Sequence, residues 1–239
     1  MKITKHNILA LLIPLSTAGM DFSTVHLTKY NTNIGDPLTY EQYKISLYNE
    51  YVQAVTSLTP ALSCTELAEQ AEKIKAIIKK CRSNLDEADL LNAPVNNKEY
   101  RLLHLLAKYS ANIAEGLPNY SSSNTERLLK EDVLCTRFNF LFNHGPVHPV
   151  AFINSQRANG NSPLLDAIKL NKVGEPSCCL KFVFLLLSNN ANPFVKNKSG
   201  DTAAAYITKI VIAKQNDPTT NAMETAYLNY IAEQIVRYQ

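Results

Sequence analysis

Glycine is scarce in this chain, with 7 in 239 residues, where about 7% is ordinary. The glycines stand singly, so no Gly-rich phosphate-binding loop is present. Scarce glycine also disfavours folds built from many short strands and tight turns, and no segment alternates apolar and polar residues convincingly. Tryptophan is absent. The five cysteines (Cys64, Cys81, Cys135, Cys178 and Cys179) are odd in number and include no CxxC pair. That argues against a disulfide framework or a zinc knuckle and for reduced thiols buried in helices of a cytosolic protein. Cys178 and Cys179 are neighbours and point to different faces of a helix. No apolar run approaches the roughly 20 residues that span a membrane. The one at the N-terminus, Ile8 to Leu15, is short and contains Pro14. Lys2, Lys5 and His6 precede it and Ser16-Thr17-Ala18 follow. Residues 1–38 therefore read as an N-terminal cap, or residues 1–18 as a cleaved signal that would place the protein in the periplasm or outside the cell. The net charge is only +3. The densest basic cluster (Lys73, Lys75, Lys79, Lys80, Arg82) is diluted by Glu66, Glu69 and Glu72, so it reads as a solvated helix face and nucleic acid is not an expected partner.

What the chain does have is helical periodicity. Residues 39–58, with Thr39 as N-cap, carry Tyr43, Ile45, Leu47, Tyr48, Tyr51, Val52 and Val55 near helical spacing. Ser63 and Glu66 form a capping-box pattern that opens a helix over 63–83. Residues Asn84, Asp86, Asn92 and Pro94 read as a loop. Further helices are predicted at 98–114, 125–143, 163–171, 177–189, 201–215 and 220–237, with Gly145, Pro146 and Pro149 closing the second of these. That makes eight helices in four pairs. A single pair cannot bury its apolar face, so the pairs must stack.

One stretch is more specific. It reads Gly160-Asn161-Ser162-Pro163-Leu164-Leu165-Asp166-Ala167, then Leu186-Leu187-Ser188-Asn189-Asn190-Ala191-Asn192-Pro193, then Gly200-Asp201-Thr202-Ala203. Gly160 and Gly200 suit turns of positive φ, and Asn190 suits a left-handed helix end. Ser162 is an N-cap, with Pro163 in the first helical position. Leu164, Leu165, Ala167, Ile168, Phe182, Val183, Leu186 and Leu187 would face the stack. This pattern resembles the ankyrin repeat, whose period is about 33 residues. Gly160 to Gly200 is 40, and Asn190 to Gly200 keeps the usual ten, so the excess falls between the helices at residues 172–176. Arg101-Leu102-Leu103-His104 echoes the family's Thr-Pro-Leu-His, and Leu141 to Pro146 its helix end. By the same comparison Asp166 stands for the family histidine and Ala203 for its proline. The resemblance covers about residues 40–237 and is specific over 160–204. It implies an all-α solenoid of about four helix-turn-helix units over residues 39–239, with a divergent N-terminal cap.

Catalytic readings are weaker. His144 and His148 are four apart, but Gly145 and Pro146 between them break the helical geometry zinc would need. Cys64 at a helix start could serve a cysteine hydrolase with His26 or His104 as base, yet nothing in the local sequence marks such a site. His104 fits better as a hydrogen bonder to backbone. The adjacent pairs Asp86-Glu87 and Glu131-Asp132 diverge and read as solvated surface. No cofactor motif is present. The ankyrin resemblance implies instead a non-enzymatic protein-binding groove lined by loop tips and short helices. By position these are Asn154, Gln156, Arg157 and Asn159, then Lys196, Asn197 and Lys198, then the exposed face Asp166, Lys169, Tyr206 and Lys209. Arg157, Lys196 and Lys198 would make the groove mildly basic and suit an acidic protein surface. Degenerate repeats with 24 asparagines, in a short chain rich in lysine, resemble the secreted ankyrin effectors of intracellular bacteria. That resemblance implies delivery into a host cell and a host protein as partner.

Overall fold

The computed structural model describes residues 37–81, 84–96, 98–113, 123–143, 149–170, 180–215 and 222–237. Every regular element among them is an α-helix. In chain order these are α1 (Pro37–Thr56), α2 (Cys64–Ile78), α3 (Asn84–Asn92), α4 (Leu102–Asn112), α5 (Ser123–Phe138), α6 (Phe140–Asn143), α7 (Pro149–Ile153), α8 (Pro163–Leu170), α9 (Leu180–Ser188), α10 (Ala203–Gln215) and α11 (Ala222–Val236). The N-terminal apolar run, His26, the His144/His148 pair, Cys178, Cys179 and residues 172–176 lie outside the described residues.

The helices form two rows. In one, α4 packs on α8 and α8 on α10; in the other, α2 packs on α5, α5 on α9 and α9 on α11. The rows are joined where α4 meets α5, α8 meets α9 and α10 meets α11. The core runs between them. Leu164, Leu165, Ala167 and Ile168 on α8 are sealed, as are Phe182, Val183 and Leu186 on α9, so the side chains expected to face the stack do so. No described helix is long and apolar enough to cross a membrane.

Local chemistry explains several boundaries. The Ser63 hydroxyl accepts from the Glu66 N–H at 3.3 Å, and the Glu66 carboxylate accepts from the Ser63 N–H at 2.8 Å, completing the capping box of α2. At α8 the capping hydroxyl is that of Ser162, which accepts from the Leu165 N–H at 3.3 Å. At the end of α9, Asn190 takes φ 67°. The Ala191 N–H then reaches the Leu186 carbonyl at 3.0 Å and the Asn190 N–H that of Leu187 at 3.1 Å, a Schellman closure.

Several expectations are corrected. Thr39 is not the cap of α1, because Pro37 already starts it; proline's fixed φ suits the first turn. Residues 84–92 are helical rather than a loop. Asp86 and Glu87 in the first turn favour a helix start, and Leu90 and Leu91 are buried. The helix over 125–143 divides at Asn139 into α5 and α6. Pro149 opens the short α7, which buries Phe152 and Ile153, rather than closing the preceding helix. Cys81 lies beyond the end of α2, not in a helix. The carboxylates of Asp86 and Glu131 are buried, not solvated. Asp86 accepts from the Tyr40 hydroxyl at 2.5 Å, and Glu131 accepts from the Lys181 N–H at 2.7 Å in the first turn of α9. On α2 Lys73 faces solvent as expected, whereas Lys75 is half-buried with its amine 5.5 Å from the centre of the Phe140 ring.

Three turns precede α4, α8 and α10, and each contains one residue in the left-handed region: Glu99 (φ 55°), Gly160 (φ 81°) and Gly200 (φ 82°). In all three, the left-handed residue donates its N–H to the carbonyl three residues earlier, at 2.9, 2.7 and 3.0 Å. Counting from these residues fixes the register of the helices that follow. His104 is fifth after Glu99 and Leu165 fifth after Gly160, so Leu165, not Asp166, matches His104.

The two glycines differ. A Cβ at Gly160 would sit 2.6 Å from the Lys198 nitrogen, whereas one at Gly200 would meet nothing within 4 Å. The Lys198 N–H donates to the Asn159 carbonyl at 3.1 Å, so the bare Gly160 backbone is what lets one turn close on the next. Gly200→Ala is expected to cost about 1–2 kcal/mol from backbone conformation alone. Gly160→Ala adds a backbone clash and should cost about 3 kcal/mol or more. Equal losses in urea unfolding would refute this account of the turn contact.

Candidate functional site

The groove residues named from sequence lie in the segments that precede α8 and α10 and on those two helices, and their surroundings differ sharply. Arg157 and Asp166 form a bidentate pair: Nε to Oδ2 at 2.6 Å and a terminal nitrogen to Oδ1 at 3.0 Å. The Asp166 side chain is 1% exposed, and the Arg157 guanidinium lies over the Tyr100 ring at 4.7 Å. Burial pulls the Arg157 pKa down, but the hydrogen bonds and charge of Asp166 outweigh it and hold it above the usual arginine value. The expectation that Asp166 lies on an exposed face is therefore wrong. Arg157 adds no net charge to the surface, because Asp166 neutralises it.

Asn161 is the hub beside this pair, and the sequence reading did not single it out as a site residue. Its Nδ2 donates to Asp166 Oδ1 at 2.6 Å, and its Oδ1 accepts from Asn197 Nδ2 at 2.8 Å. Its carbonyl accepts from the Arg157 N–H at 3.1 Å and faces His104 Nε2 at 3.0 Å. The only sequence signal was its place directly after the turn glycine. Asn197 organises its own turn, its Oδ1 accepting from the N–H groups of Ser199 and Asp201 at 2.9 and 2.8 Å. Gln156 ties the turns together. Its Nε2 donates to the carbonyls of Gly160 at 2.5 Å and Lys196 at 2.8 Å, while its own carbonyl accepts from the Arg101 guanidinium. Asn154 Oδ1 accepts from the Asn192 N–H at 2.7 Å.

The remaining named residues lie nearer the surface. Lys169 Nζ meets Asp201 Oδ2 at 2.6 Å and lies 5.1 Å from the centre of the half-buried Tyr206 ring. The Lys169 hydrogen bond, first, and then that of Asn197 hold the Asp201 carboxyl below its usual range. Asn159, Lys196, Lys198 and Lys209 are exposed. None of the three exposed lysines makes an ion pair among the described residues.

His104, weighed from sequence as a base, is fully enclosed. Its Nε2 is bonded to backbone, the role that fitted it better. Burial first of all pushes its pKa down to about 4. The neutral ring with the proton on Nε2 satisfies the Asn161 carbonyl and leaves Nδ1, which finds no partner among the described residues, as a bare lone pair. Cys64 is half-buried at the start of α2. The thiols of Cys81 and Cys135 are each pushed up to about 12, mainly by burial. Among the described residues no three His, Cys, Asp or Glu side chains are grouped to hold a metal. Compared with family models, with curated proteins and with solved structures, the chain matches none.

Two consequences can be measured. Arg157→Ala strands the buried Asp166 carboxylate and should cost about 3 kcal/mol in denaturant unfolding. Adding Asp166→Asn should recover part of that loss, because the stranded charge is gone; additive losses would show the pair to be uncoupled. The second concerns His104. Its folded pKa lies below the unfolded value of about 6.5, so the unfolded chain binds the extra proton first. The stability it contributes is complete above about pH 6.5 and is lost as pH falls toward 4, by about 3 kcal/mol in all. His104→Gln keeps a donor for the Asn161 carbonyl and should flatten that part of the stability–pH curve. A curve of unchanged slope would contradict the assignment.

Proposed function

We propose that this chain is an ankyrin-like repeat scaffold that binds another protein through the turn tips and the open side of its short helices, without catalysis. The observation that carries this reading is the repetition of one unit, a left-handed turn followed by a short helix, at 96–112, 157–170 and 197–215. Side-by-side stacking of such units is the geometry from which solenoids build extended binding surfaces. The polar groups nearest the core are committed within the chain, and the exposed groups are long and cationic, which suits an acidic protein surface. The composition and the degenerate repeats favour a bacterial effector delivered into a host cell, with a host protein as its target.

The test is capture from host-cell lysate with the full chain as bait, read by quantitative mass spectrometry. Lys196→Glu with Lys198→Glu should reduce recovery of the partner at least tenfold while leaving the melting temperature within error. Recovery equal to that of the unaltered chain would remove the turn tips from the binding surface.

A further inference from the structure

Lys108, Lys169 and Lys209 occupy one repeated position. Each is the ninth residue after the left-handed residue of its own turn: Glu99, Gly160 and Gly200 respectively. Because α4 packs on α8 and α8 on α10, equal register places the three side by side across the row. Neighbouring helix axes lie about 8–10 Å apart, so the three amines form a ladder with steps of that order.

The burial pattern shows that the ladder faces outward. On α4 every residue from Leu102 to Asn112 is buried or half-buried except Lys108, and the half-buried ones include Leu105 and Asn112, which share its face. On α8 the only residues not buried are Lys169 and Leu170. On α10 Lys209 is exposed beside the half-buried Tyr206 and Ile210. The open strip thus alternates a lysine with partly covered apolar side chains from unit to unit. Among the described residues Lys169 pairs with Asp201, a carboxylate that Lys209 also acts on at longer range, and neither Lys108 nor Lys209 makes an ion pair.

We infer that this strip is the docking site for an acidic segment of a partner protein that runs across the short helices, with carboxylates about 10 Å apart. That spacing is every third residue of a segment in the polyproline II conformation, which has three residues per turn at about 3.1 Å per residue and so returns each third side chain to the same face. The apolar side chains between the lysines give the intervening residues of the segment something to bury. They favour a polypeptide over a nucleic acid, which would ask for a denser basic face. The inference rests on the binding reading above and adds to it the partner's charge pattern and its direction across the stack.

The test is selection of random peptides displayed on phage against the full chain, followed by fluorescence anisotropy of the enriched sequences. Enriched peptides should carry Asp or Glu at every third position. Their affinity should fall at least tenfold in Lys108→Glu with Lys209→Glu, two exposed changes that leave the Lys169 pair intact, and should fall as salt rises. Circular dichroism and the melting temperature of that variant should be unchanged. If it proves unstable, Lys108→Gln with Lys209→Gln is the substitute, with a smaller loss expected. Enriched peptides without acidic residues, or acidic ones indifferent to these changes, overturn the ladder and leave the binding reading standing. If no peptide is enriched and the lysate yields no partner, both fall. Polyuridylate that binds in preference to every peptide, and is lost in the same variants, would assign the ladder to a polyanion and overturn the protein partner.

Discussion

The left-handed residue in each turn is the constraint on which the rest of the molecule depends. It reverses the chain ahead of α4, α8 and α10, and so decides which residue of each helix faces the neighbouring unit. Where that residue is Gly160, the absence of a side chain also lets the next turn come within hydrogen-bonding distance. A change of one residue in the turn would rotate the following helix by about 100° and put a different face inward. The core contacts of α8 and the polar network above them therefore follow from the turn rather than create it.

The polar groups then divide by depth. Arg157, Asp166, Asn161, Asn197, Asp201 and Lys169 form a continuous chain of hydrogen bonds from one unit to the next. Such a network is costly when half satisfied and specific when complete, so it fixes how adjacent units sit on each other. Glu131 does the same for the other row, where its carboxylate accepts from the first turn of α9. These residues define the register between units, and their charges are spent on one another.

How much of this was legible in the sequence depended on whether the cause was local. Ser162, Pro163, Asn190 and the Ser63/Glu66 box act within a few residues, and each does in the structure what its chemistry implied. The helices of 84–92 and 149–153 escaped notice because their asparagines and prolines also suit loops; burial of Leu91 and Phe152 against distant elements settles them. The candidate site was legible as a region but not residue by residue. Asp166 looks like a surface acid until Arg157 and Asn161 close over it, and those contacts come from a neighbouring turn. Glu99 hid the first turn, since a left-handed residue other than glycine leaves no mark in the sequence. Without that turn the shared register of Lys108 with Lys169 and Lys209 could not be counted.

That register bears on why lysine rather than arginine suits the open strip. At position 169 an arginine would grip the Asp201 carboxylate with the fixed fork of its guanidinium, as Arg157 grips Asp166. Lysine carries a compact, strongly hydrated charge on a flexible stem. Its methylenes can lie over half-buried neighbours such as Leu105 or Ile210 while the amine stays in water. The strip is thus kept soluble by the same groups that a carboxylate-bearing segment would engage. Docking would exchange water at the Lys108 and Lys209 amines for carboxylate oxygens and would share Lys169 with Asp201, while the apolar side chains between them gain cover.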